Sequence, residues 1–131
     1  MIPSEVKDSI DEHIQKWFRI TTKSPFSDST FAKSRYMELS SVYNEVLNLN
    51  DSINELIGKL ESEKNIRAFE VLRNTFYDTK SWQEREVVIN SDSVVDDLNK
   101  SLSYLYSKRD IVNNILHRVK SLLFLYEKSY L

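Results

Sequence analysis

Residues 39–60 read LSSVYNEVLNLNDSINELIGKL, and within them Leu39, Val42, Val46, Leu49, Ile53, Leu56 and Leu60 step by 3, 4, 3, 4, 3 and 4. Apolar side chains at that spacing occupy the a and d positions of three heptads and share one face of an α-helix. Tyr43, Leu47 and Ile57 widen the stripe on one flank, and Arg35 or Tyr36 with Ala32 extends it backwards. A bare two-stranded seam needs only a and d, so the wider stripe points to a bundle core. The spacing predicts a long helix over about 28–62.

A second run has the same pattern. Val95, Leu98, Leu102, Leu105, Arg109, Val112, Leu116, Val119, Leu123, Tyr126 and Tyr130 continue the 3,4 stepping with only Arg109 charged. This predicts a long C-terminal helix over 93–131, opened by Ser93 with Asp96 in a capping-box pattern. Ahead of the first run, Val6, Ile10, Ile14, Trp17 and Phe18 mark an N-terminal helix over 1–22. Between them, residues 23–30 (Lys23-Ser24-Pro25-Phe26-Ser27-Asp28-Ser29-Thr30) form a turn rich in Pro, Ser and Asp. Ser24-Pro25 in that turn is a dipeptide of the kind that proline-directed phosphorylation uses.

Beyond Leu60 the heptad lands on Glu63, Arg67, Glu70 and Asn74, while a new stripe starts at Ile66, Phe69, Leu72 and Phe76. Ser62–Asn65 therefore reads as a tight turn, followed by a third helix over 65–80. The alternative is a phase slip in one continuous helix, since no Gly or Pro stops the chain. Residues 81–92 form a connection that reads as helix or ordered loop; Val87-Val88-Ile89 has strand propensity but nothing to pair with. The expectation is an all-α fold: an elongated antiparallel bundle of three or four helices in one domain over 1–131, with two long heptad-patterned helices.

Composition narrows the function classes. One glycine, Gly58, and two prolines in 131 residues leave no way to write a P-loop, a dinucleotide fingerprint or a nucleophile elbow. There is no cysteine, hence no disulfide frame or thiolate site. His13 and His117 have no ligand-type residue at i+3 or i+4, and Asp11-Glu12 and Asp96-Asp97 point about 100° apart on a helix rather than into a shared pocket. The expectation is no enzyme, no cofactor and no metal. The glycosylation sequons at Asn50 and Asn99 fall inside predicted helices and carry no signal.

Net charge is −2, and both halves of the chain are near balance, so no nucleic-acid partner is expected. No apolar run approaches a membrane span, and the N-terminus lacks a secretory pattern; direct membrane insertion is not expected, and an intracellular, cytoplasmic setting is. Leu122-Leu123-Phe124-Leu125-Tyr126 is apolar on successive positions that sweep the whole helix circumference. Together with Arg109 and Tyr130 these residues are the expected partner-binding set, by docking of a protein or by self-association. The leading expectation is a non-catalytic protein–protein interaction module, a subunit or adaptor. A regulatory N-terminal helical domain of the SNARE or tether type, and a small-molecule-binding bundle, are the alternatives.

Overall fold

The computed structural model describes residues 2–22, 29–73 and 81–129. It contains four helices: α1 (Ser4–Thr21), α2 (Ser29–Arg73), α3 (Trp82–Asn90) and α4 (Ser93–Ser129). There is no strand among the described residues. The chain is an all-α bundle, as the heptads require. The Ser24-Pro25 dipeptide with most of the 23–30 turn, the stretch 74–80 and Tyr130 lie outside the described residues.

The chain divides into two compact units that share the two long helices. One comprises α1, α2 as far as Ile53, and α4 from Lys108; the other comprises α2 from Asn54, α3, and α4 as far as Ser107. In the first unit the core is built from Ile10 and Trp17 of α1, Leu39, Val42, Val46 and Ile53 of α2, and Val112, Ile115, Val119 and Tyr126 of α4, all buried. Helix directions follow from the polar ties. Trp17 meets Glu45, and Ile20 meets Arg35, so α1 runs antiparallel to α2. Asp11 meets Lys108, and Phe18 meets Arg118, so α1 runs parallel to α4.

In the second unit Ile57 and Leu60 of α2 and Val95, Leu98, Leu102 and Leu105 of α4 are the buried apolar residues. Glu61 accepts from Tyr106, and Asp92 from Arg67, which sets these segments antiparallel. Here α2 corrects the sequence reading: no turn interrupts it at 62–65, and the expected third helix is its continuation to Arg73. The buried position moves from Leu56, half-buried, to Ile57, and the inward face then runs through Leu60, Lys64, Arg67, Ala68 and Val71. A straight α-helix drifts about 20° per heptad against a 3.5-residue repeat, so the seam slides by one residue without a break. Of the stripe that suggested a new helix, Ile66 and Phe69 point outward, 60% and 65% exposed, Leu72 is half-buried, and Phe76 lies outside the described residues.

α3 is a helix and not a strand. Ser81 caps it, its side chain accepting from the Glu84 N–H at 3.2 Å. None of its residues is buried; it leans on its neighbours through half-buried Arg85, Val88 and Ile89. α4 begins one residue earlier than a Ser93 cap requires. Asp92 is the capping residue: its Oδ2 accepts from the Val95 N–H at 3.1 Å, and its carbonyl from the Asp96 N–H at 2.9 Å. The same carboxylate takes both arms of the Arg67 guanidinium, at 2.8 and 2.9 Å. That fork holds the Asp92 pKa at about 2, below its ordinary value of 3.8.

Candidate interaction site

The C-terminal stretch of α4 that the sequence marked as sticky is partly enclosed by its own chain. Tyr126 is fully buried against Ala32 and Leu39, with Leu122 and Leu123 packed beside it together with Ile20 and Tyr36. A helix can bury only the stripe that faces its neighbours. Tyr126 continues that stripe from Val112 and Val119, so it goes inside. Phe124 and Leu125 lie off the stripe and remain 61% and 40% exposed. Arg109 is half-buried on the same helix.

Polar ties fix the ends of this unit. The Tyr36 hydroxyl donates to Glu127 Oε1 at 2.6 Å, which raises the phenol pKa because the donated proton is held by a carboxylate. Arg35, buried in its α2 position, donates through Nη2 to the Ile20 carbonyl and through Nη1 to Glu38 at 2.7 Å. It thereby satisfies one of the carbonyls that the last turn of α1 leaves without an intrahelical donor. Further along, the indole N–H of Trp17 donates to Glu45 Oε2 at 2.9 Å, and Lys16 reaches the same oxygen at 3.4 Å. The Trp17 bond and, after it, Lys16 hold the Glu45 pKa below the usual carboxylate range against the opposing effect of desolvation. His13 lies against the Trp17 ring, centroids 5.5 Å apart, and its Nδ1 is 2.6 Å from the Ser9 carbonyl.

The exposed side of this unit carries an arrangement that the sequence did not disclose. Phe18, expected on the α1 core stripe, is 54% exposed. Trp17 takes the inward position, and neighbours on a helix point about 100° apart, so one of the two had to face out. The guanidinium of Arg118 sits over the Phe18 ring, 5.6 Å from its centroid. On α4 itself the Lys128 ammonium sits 5.5 Å from the centroid of the exposed Phe124 ring. Two outward aromatic rings thus each carry a cation. Cations dominate this stretch of α4: Lys108, Arg109, Arg118, Lys120 and Lys128 against Asp110 and Glu127.

No family model matches the chain, and no curated protein matches it by sequence. Solved structures do. The fold is similar to that of the recombination mediator protein UvsY of bacteriophage T4. In one crystal lattice of UvsY the TM-score is 0.67 at 20% identity, over 98% of this chain and 93% of that one. In a second lattice it is 0.65 at 19% identity, over 98% and 92%. At that identity the likeness establishes the fold. It also removes one expectation. Overall charge balance led to the exclusion of a nucleic-acid partner, yet a chain with the same fold over nearly its whole length is a recombination mediator, and recombination is a reaction of DNA. The exclusion does not stand. Its physical weakness is that net charge averages over the surface, while binding depends on local charge. Among the described residues, no helix is long and apolar enough to cross a membrane.

Proposed function

We propose that this protein is a non-catalytic interaction module of the recombination-mediator kind, which holds a single strand of nucleic acid through the exposed ring–cation pairs Phe18–Arg118 and Phe124–Lys128. The observation that carries this reading is the pair of exposed aromatic rings, each with a cation over it. Single strands are bound without sequence preference by two elements together: aromatic faces on which bases stack, and cations that track the phosphates. Both are here, within one unit. The likeness to UvsY supports the reading at the level of fold.

Binding of a labelled single-stranded oligonucleotide, followed by fluorescence anisotropy at low salt, tests it. Phe18→Ala and Phe124→Ala remove rings that are more than half exposed, so the fold is expected to survive both. Loss of one base-stacking contact is worth ~1–3 kcal/mol, so each is expected to weaken binding ~5- to 160-fold. No binding by the wild type, or binding by both variants as tight as that of the wild type, defeats the proposal.

A second reading concerns a protein partner. Phe124 and Leu125 are adjacent, exposed and roughly 100° apart on the helix, so together they present apolar surface beyond the packed stripe of Leu122, Leu123 and Tyr126. Docking of a partner protein through this end of α4 is supported by that exposure. Leu125→Ser separates the two readings, because it removes apolar contact and leaves both cation-bearing rings in place.

A further inference from the structure

Gly58 is the only glycine in the chain, and it sits in the interior of α2. A glycine there destabilises a helix relative to alanine, so a reason for it is expected. The fold supplies none. Its backbone has ordinary helical torsions rather than a positive φ. A Cβ added at the position meets nothing within 4 Å, so no neighbour among the described residues needs the room. Gly58 is exposed, and it opens a stripe of exposed positions that runs along α2 by steps of four, four, three and four: Gly58, Ser62, Ile66, Phe69 and Arg73. Glu55, three residues before Gly58, extends the stripe at the other end.

The order along this stripe is antisymmetric. An acid and two small residues occupy its first half; two large apolar residues and a base occupy its second. Laid against a reversed copy of itself, with the centre near position 64, every position meets its complement. Glu55 falls opposite Arg73, Gly58 opposite Phe69, and Ser62 opposite Ile66. On the flank, Lys59 falls opposite Glu70. We propose that α2 pairs antiparallel with α2 of a second copy of this chain across a two-fold axis near residue 64. The missing side chain at Gly58 receives Phe69 of the partner subunit. Small residues facing large ones let two helix axes approach to the short end of the usual ~8–10 Å range. A two-fold interface is made of the same patch twice and must be self-complementary, which this stripe is in both size and charge. A partner of different sequence sets no requirement that one stripe mirror itself. The stripe belongs to the unit that holds α3, so this inference is independent of the nucleic-acid reading of the other unit.

Sedimentation equilibrium over a range of concentrations tests it. The wild type is expected to show a monomer–dimer equilibrium or to use this contact within a larger assembly. Gly58→Leu is expected to keep full helix content, since the space is open, and to weaken association at least tenfold. Arg73→Glu places acid against acid at both ends and is expected to weaken it severalfold; Glu55→Arg combined with Arg73→Glu restores opposite charges and is expected to recover most of the loss. That recovery is the feature a merely structural role does not reproduce. A wild type that stays monomeric at its highest soluble concentration overturns the proposal. So does an association indifferent to Gly58→Leu, or a charge swap that fails to rescue, which points to a different partner on this face.

Discussion

Glu45 holds the one hydrogen-bond donor of a side chain that has no water to turn to: Trp17 is fully buried, and its indole N–H ends on Glu45 Oε2 at 2.9 Å. Leaving such a donor unpaired costs about 1–3 kcal/mol, so Glu45→Ala is expected to lower unfolding free energy by that amount in urea titrations, and Glu45→Gln, which keeps an acceptor, by less. Because the Glu45 pKa is depressed on folding, its contribution is present above the ordinary carboxylate value and fades as pH falls below it. Asp92 follows the same sign with a wider window. Asparagine caps a helix about as well as aspartate, so Asp92→Asn isolates the charge that faces Arg67. The gap in Tm between wild type and Asp92→Asn is expected to be complete above pH 3.8 and to close as pH falls through about 2. Thermal melts in a series of acidic buffers check this; a gap independent of pH in that window removes the Arg67–Asp92 pair from the account.

At the scale of elements, the two heptad runs announced α2 and α4, because nothing but a buried stripe makes apolar residues recur by threes and fours for so long. Where α2 ends was not legible. Past Leu60 the sequence offers two stripes, one apolar (Ile66, Phe69, Leu72) and one mixed (Lys64, Arg67, Ala68, Val71), and periodicity alone ranks the apolar one inward. The structure turns Ile66 and Phe69 outward and leaves Leu72 half-buried beside Val71. Arg67 stays on the inward side because its head group reaches Asp92, while a long aliphatic stem covers the edge of the core. A proline distinguishes a turn from a continuous helix at this place. Asn65 is exposed, and in a continuous helix its N–H bonds the carbonyl four residues earlier. Asn65→Pro is therefore expected to cost about 3 kcal/mol or more by chemical denaturation, where a turn tolerates it. α3 was legible only as not a strand. With no buried residue to anchor it, its amides are expected to exchange with deuterium faster than those of α4 between Leu98 and Leu105, by mass spectrometry.

For the molecule as a whole, the sequence totals concealed what the fold separates. A net charge of −2 reads as indifference to polyanions, but it is a sum over faces that do different things. Lys108, Arg109, Arg118, Lys120 and Lys128 share one stretch of α4 with only Asp110 and Glu127 against them, and folding turns Phe18 outward beneath Arg118. Neither is visible in a count, since which of Trp17 and Phe18 faces the core depends on how α1 meets its neighbours. Part of the expected C-terminal patch was misplaced for the same reason: the stripe rule that buries Val119 also buries Tyr126. A local site on an acidic chain makes a quantitative prediction. Each phosphate neutralised on a single strand contributes ~0.7 to the slope of log affinity against log salt concentration. Arg118→Gln with Lys128→Gln is expected to flatten that slope by ~1.4 if each cation meets one phosphate. Lys100→Gln changes net charge by the same sign on the other unit, where Lys100 pairs with Asp96 at 3.0 Å, and is expected to leave the slope unchanged. Equal flattening by all these changes indicates that overall charge, and not the two ring–cation pairs, governs binding.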